Sequence, residues 1–306
     1  MIELNIVDEN TALKSVILGT ASSNGGVPST AEAYDPKSLE SINNGTYPAE
    51  DALSLEMKGF ETILRKYNVE VLRPDELQNV HQVYARDIGF VIENKFVVSN
   101  IVGERAQEIS GINTILNTIS ESHIVRPGEE VRIEGGDVMP WNSKIFVGFS
   151  KTDDFEKYKV SRTNEAGVNF LRATFKNHEI IPFELVKSDT DPRVNALHLD
   201  CCFQPIGSGD VILYRNGFKS QSDVDLIVSR FGEQRIIEID QEQMYNMAPN
   251  VFSITPKVIV SEVQFKRLNK ELTSRGYHVE AIRYGEISKM GGLFRCSTLP
   301  LNRVNE

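Results

Sequence analysis

Four times along this chain the same order of elements returns: two short strands, a helix, then a third strand. Asp87 to Ile92 and Phe96 to Ser99 read as strands about a turn at Glu93-Asn94, with a helix over 104–118 and a strand over 123–126. The order returns at 133–139, 144–149, 163–175 and 179–185. It returns at 198–204, 211–214, 222–231 and 235–239, and again at 250–254, 257–261, 264–275 and 278–282. A fifth copy closes only across the termini. Leu293 to Thr298 pairs with Ser15 to Gly19, followed by a helix over 49–67 and a strand over 69–72. In that helix Leu53, Met57, Phe60, Leu64 and Tyr67 share one face, as packing on a sheet requires. Five ββαβ modules about an axis predict an α/β propeller with pseudo-fivefold symmetry, in one domain over residues 1–306. A doubly wound sheet is the alternative, and the recurrent hairpins fit it poorly.

First strands of such a ring converge on the centre. Asp87, Glu134, His198 and Cys296 each fall on the predicted first strand of a module, and Asn250 marks the fourth. That gives residues far apart in sequence a reason to meet. On a strand, residues two apart share a face, so His198 and Asp200 are expected to project together.

These residue types suit one kind of chemistry. A guanidinium is planar, permanently charged and rich in donors, and its central carbon is a poor electrophile. A site that attacks it must clamp the plane at its edges, deliver a strong nucleophile and protonate a departing amine. Asp87 and Asp200 can accept paired N–H bonds. Cys296 as thiolate can attack the carbon and form a covalent amidino-thioether. His198 can serve as acid and base, with Glu134 holding its ring. Each residue also has an ordinary reading. A lone Cys is a small core hydrophobe, a lone His satisfies a local hydrogen bond, and Arg86-Asp87 is a surface ion pair. Cys201 and Cys202 beside His198 lack the four spaced ligands of a zinc site, so no metal and no cofactor is expected. Ile206-Gly207-Ser208-Gly209 is too short for a dinucleotide loop and reads as a hairpin turn.

Composition bounds the rest. The 306 residues carry 40% hydrophobic and 25% charged side chains, as in an ordinary globular protein. The net charge of −10 argues against a nucleic-acid partner. No apolar run approaches a membrane span. The N-terminus lacks the pattern of a secretory signal, and three cysteines, two of them adjacent, suit a reducing compartment. A cytoplasmic enzyme is the expectation; oligomeric state is not readable.

The motifs Arg86-Asp87, Glu134-Gly135-Gly136-Asp137, Ser161-Arg162-Thr163-Asn164, His198-Leu199-Asp200 and Gly291-Gly292 with Cys296 resemble the guanidino-group modifying enzymes, the pentein superfamily. That superfamily includes arginine deiminases, dimethylarginine dimethylaminohydrolases and amidinotransferases. The resemblance implies the five-module propeller, Cys296 as nucleophile, His198 as acid and base, Glu134 as its partner, and Asp87 and Asp200 as guanidinium clamps. It further implies that Arg162 binds a substrate α-carboxylate and that Asp137 supports the Glu134 box and lines the substrate pocket. Glu134 with two glycines looks like the hydrolases; Asp200 looks like arginine deiminases and amidinotransferases. The expected activity is hydrolysis of an arginine-like guanidine, with transfer of the amidino group to an amine such as glycine as the alternative. A non-catalytic propeller that binds a macromolecule is the rival from another class, and it has no need of these side chains in its channel. Loops such as 22–29 and 240–250 are candidates for the contacts that distinguish one guanidine from another, and which loops form a lid is not readable.

Overall fold

The computed structural model describes residues 2–305. Its strands are β1 (Ala12–Leu18), β2 (Glu70–Leu72), β3 (Gly89–Ile92), β4 (Lys95–Val98), β5 (Ile124–Val125), β6 (Val138–Trp141), β7 (Lys144–Phe149) and β8 (Glu179–Glu184). There follow β9 (Phe203–Ile206), β10 (Asp210–Leu213), β11 (Ile236–Glu238), β12 (Phe252–Thr255), β13 (Val258–Glu262), β14 (His278–Ile282) and β15 (Thr298–Val304). They pair into five three-stranded sheets. In each sheet the middle strand is antiparallel to one neighbour and parallel to the other. The antiparallel pair is a hairpin in four modules. Parallel neighbours need a crossover, which a helical segment supplies in every module. This is the α/β propeller expected from the element order.

The fifth module does close across the termini, but one turn later than predicted. The last strand is Thr298–Val304, not 293–298, and Leu18 pairs with Thr298. Residues 294–297 form a turn in front of it. Helix Glu50–Lys66 buries Leu53, Met57, Phe60 and Leu64. Each contributes roughly 1.5–3 kcal/mol of apolar burial. The Phe60 ring meets Phe252, Tyr284 and Phe294 at 5.9, 5.6 and 5.0 Å between centroids. Phe294 thereby anchors the turn that carries Cys296.

Two further expectations are corrected. The segment predicted as a helix over 104–118 is a 3₁₀ helix over Gly103–Ile112 with a single α turn at Asn113–Leu116. More important for the site, Asp87, Glu134, His198 and Cys296 do not lie on first strands. Each sits in the turn just before one. Asp87 and Cys296 fall in four-residue turns over 85–88 and 294–297. Glu134 and His198 cap the 3₁₀ turns Gly135–Asp137 and Leu199–Cys201. Apolar neighbours made these stretches look extended, but at Gly135 and Gly136 the missing side chains let the turn pack against the Arg86 carbonyl and the His198 ring.

Candidate active site

The turns meet in a ring. The backbone N–H of Arg86 donates to the Cys296 carbonyl at 2.9 Å, which sets Asp87 beside the cysteine turn. The α-carbon of Gly136 faces both Asp87 and His198. A Cβ there would stand 2.6 Å from His198 Cγ and 3.1 Å from Asp87 Oδ1. Asp137 accepts the Leu199 N–H at 2.9 Å, fastening the Glu134 turn to the His198 turn. Asn250 completes the ring. Its Oδ1 accepts the N–H groups of Leu293 and Cys296 at 3.0 and 3.1 Å, and its Nδ2 donates to the sulfur at 3.1 Å.

Glu134, Asp137, Asp200, His198, Asp87 and Cys296 are all buried. His198 Nε2 shares a hydrogen bond with Glu134 Oε2 at 2.8 Å. The other oxygen of Glu134 accepts the Val102 N–H at 3.1 Å. His198 Nδ1 faces Asp87 Oδ1 at 3.8 Å. Asp200 takes a different direction. The expected same-face projection with His198 fails, because residues 199–201 form a 3₁₀ turn instead of a strand. Asp200 Oδ2 accepts from Arg295 at 2.9 Å and lies 3.6 Å from Cys296 Sγ. Thus one carboxylate stands beside the imidazole and another beside the thiol.

The Arg86-Asp87 pair is neither exposed nor an ion pair. Arg86 points to Glu9 at 3.7 Å, and Asp87 Oδ2 is held by Arg105 at 2.5 Å. Arg105 is gripped in turn by Glu108 at 2.7 and 2.8 Å. Asp87 Oδ1 keeps no hydrogen-bond partner. Arg162 is buried and donates to the Tyr34 carbonyl at 2.5 Å, while its Nε and Nη1 have no hydrogen-bond partner. The Tyr34 ring lies 5.5 and 5.6 Å from the guanidiniums of Arg105 and Arg162. The segment that touches the buried arginines is therefore at Tyr34, beyond the 22–29 stretch named from sequence. Residues 240–250 are partly helical, over Gln241–Tyr245 behind an Asp240 capping box.

So much buried charge is costly unless paired, and it shifts ionisation where it is concentrated. Burial alone would depress the His198 imidazolium. The charges of Asp87 and Asp137 and the Glu134 hydrogen bond outweigh it and lift the group to about 9. Burial opposes ionisation of Glu134, but Arg162 and His198 hold it below the ordinary carboxylate range. Burial drives the Cys296 thiol well up, with Asp200 and Asp87 adding to the effect and Arg295 opposing it. Burial thus favours the neutral thiol of Cys296, while the neighbouring carboxylates favour the charged form of His198.

Donor atoms of Asp87, Glu134 and His198 lie within 4.8 Å of one another, a spacing that would admit a cation. Their chemistry fits proton transfer better. A ring held protonated is a poor metal ligand, and guanidiniums already stand beside Asp87 and Glu134. Cys201 and Cys202 are buried thiols whose ionisation is pushed up by burial. Among the described residues no helix is long and apolar enough to cross a membrane.

Sequence reading missed Asn250 as a partner of the sulfur, and it missed Arg105, Glu108, Tyr34, Arg295 and Glu9. The spacing of Arg105 and Glu108 was a usable signal, since residues three apart on a helical segment meet. Glu9 gave none.

Comparison with known proteins places this geometry. The sequence is 32% identical over 244 residues to the uncharacterized protein YkgA of Bacillus subtilis, covering 78% of this chain and 77% of that one. The fold matches the inosamine-phosphate amidinotransferase StrB1 of Streptomyces griseus with a TM-score of 0.79 at 16% identity, over 100% of this chain and 98% of that one. It matches the N-terminal domain of ArgZ, an arginine dihydrolase from the ornithine–ammonia cycle in cyanobacteria, with a TM-score of 0.76 at 16% identity, over 94% and 98% of the two chains. A family profile described as N,N dimethylarginine dimethylhydrolase, eukaryotic, matches residues 37–303. With five three-stranded modules and a match over most of its length, the chain belongs to that family, within the guanidino-group modifying (pentein) superfamily.

Proposed function

We propose that the five modules act as one catalytic domain, a cysteine-dependent hydrolase of an arginine-like guanidine. One observation carries this reading. Two buried carboxylates flank the site, each fixed at one oxygen by a buried arginine; Asp87 Oδ1 lacks a hydrogen-bond partner, and Asp200 stands beside the sulfur. A planar cation between them offsets the two charges that, after burial, hold the Cys296 thiol up. Docking therefore favours loss of the thiol proton to solvent, and the thiolate forms where its target lies.

The thiolate adds to the guanidinium carbon. A C–N bond breaks as His198, held protonated, gives its Nδ1 proton to the departing amine. Neutral His198, still oriented by Glu134, then takes a proton from water as that water attacks the same carbon. The C–S bond breaks, and the carbon leaves as a urea-type carbonyl. Arg162 has no hydrogen bond at Nε, and its Nη1 faces Glu134 at 3.6 Å; its guanidinium suits a substrate carboxylate, with Tyr34 giving up its contact. Asp137 acts through the backbone of Leu199.

Cys296→Ala should abolish turnover of arginine and its Nω-methylated forms, assayed by mass detection of citrulline and ornithine. Full turnover in that variant would sink the mechanism. Appearance of guanidinoacetate only when glycine is added would reassign the second step to an amine acceptor.

A further inference from the structure

The N-terminal segment crosses the face of the propeller opposite the catalytic turns. Asn5 pairs with Asn302, Ile6 with Glu93 and Asp8 with Trp141. The Asn10 amide donates to the Gly207 carbonyl at 2.8 Å. Glu93, Trp141 and Gly207 lie at or beside the hairpin turns of three modules, so the segment straps them together. From this strap one buried side chain, Glu9, reaches the centre of the ring. Its two oxygens accept from Arg295 Nε and Nη2, both at 3.1 Å. Arg295 spends its remaining N–H groups on Gly136 O at 3.3 Å, Val138 O at 2.9 Å and Asp200 Oδ2 at 2.9 Å. All five donors of this buried guanidinium are occupied.

The charges explain the arrangement. A lone Arg295–Asp200 pair would be neutral, and Asp200 would have little net charge to offer a cation. Glu9 supplies a second carboxylate, so Glu9 and Asp200 together balance the two buried guanidiniums of Arg295 and Arg86, and without Glu9 the cluster beside Cys296 would be net positive. Arg86 also faces Glu9, at 3.7 Å. Without the Glu9 charge, Arg86 and Arg295 would both depend on Asp200. We propose that Glu9 is a positioning residue of this enzyme: it holds Arg295 in a bidentate grip, so that Arg295 fixes Asp200 through one hydrogen bond and leaves its charge to the substrate. The proposal rests on the reading of Asp200 as a guanidinium clamp.

The test compares two alkylating agents on the full chain. 2-Chloroacetamidine is a cation with the planar head of a guanidine, and chloroacetamide is its neutral counterpart. The ratio of their rates at Cys296, followed by intact mass, reads the negative charge beside the sulfur. Loosened packing changes access for both reagents alike and leaves the ratio unmoved. Glu9→Gln should lower the ratio about tenfold. Glu9→Asp, which keeps the charge, should stay within about threefold of the wild type. Glu3→Gln, an exposed position on the same strap, should leave the ratio unchanged. Asp200→Asn should collapse it. An unchanged ratio in Glu9→Gln beside a collapsed one in Asp200→Asn overturns the role of Glu9 and leaves the clamp standing. An unchanged ratio in Asp200→Asn removes the clamp, and the proposal with it. If Glu9→Gln does not fold, Arg295→Lys takes its place: it keeps the charge but cannot reach four partners, and a wild-type ratio there overturns the proposal equally.

Discussion

In the proposed mechanism His198 and Glu134 form the acid–base pair, and their coupling has a signature in stability. The imidazolium is lifted from 6.5 to about 9 in the fold. Its stabilising contribution is complete below pH 6.5 and is lost as pH rises through about 9. Thermal unfolding of Glu134→Gln should show that loss at lower pH than the wild type, because the hydrogen bond and charge of Glu134 help lift the ring. Superimposable pH profiles would contradict the coupling. Gly136→Ala tests the geometry next to it, since a methyl group there meets His198 and Asp87. We expect a cost of about 1–3 kcal/mol from overpacking, and at least a hundredfold slower turnover from displaced catalytic groups. At this scale the sequence was informative about residue types. A thiol, an imidazole and several acids at matching module positions stood out, because few other chemistries need that set. Their partners did not stand out. Arg295, next to Cys296, gives no sign in sequence that its five donors close on three other segments.

At the scale of elements, strand order, pairing sense and crossovers were legible, because hydrophobic period and turn residues are local properties. The turns that carry the candidate site were not. Ile133, Val138 and Met139 give their stretch the apolar look of a strand, while the Gly-Gly between them winds a 3₁₀ turn. Residues 103–112 carry helical spacing, yet the segment turns Arg105 and Glu108 inward to Asp87 and keeps the tighter 3₁₀ form. The helix Glu50–Lys66 followed its apolar stripe as expected. Phe60→Ala should cost about 3–5 kcal/mol, because its ring is fully buried against Phe252, Tyr284 and Phe294. A loss below about 1 kcal/mol in denaturant unfolding would mean that the contact with the cysteine turn is not built as described.

The whole molecule is closed by pairing its last strand with its first, and the ring that gathers the site depends on this. Residues 298–304 bury Leu299 and Leu301 completely and pair along β1 from Val304 to Thr298. Removing residues 299–306 should leave no cooperative thermal transition, since it strips one edge of the module that carries Cys296; a retained transition near the wild-type temperature would show that the ring does not need its closure. What sequence could not supply at this scale is the N-terminal strap, whose contacts run to the last strand and to the hairpin turns of three modules and leave no local pattern. The central claim, that Cys296 attacks a guanidine clamped by Asp87 and Asp200, is tested most directly by acid-quenching the protein during turnover of arginine and weighing the peptide that contains Cys296. The account predicts a transient adduct on that sulfur equal to arginine less ammonia, absent in Cys296→Ser and strongly reduced in Asp200→Asn. Turnover of arginine with no adduct at Cys296 at any quench time, and undiminished in Cys296→Ser, would contradict it.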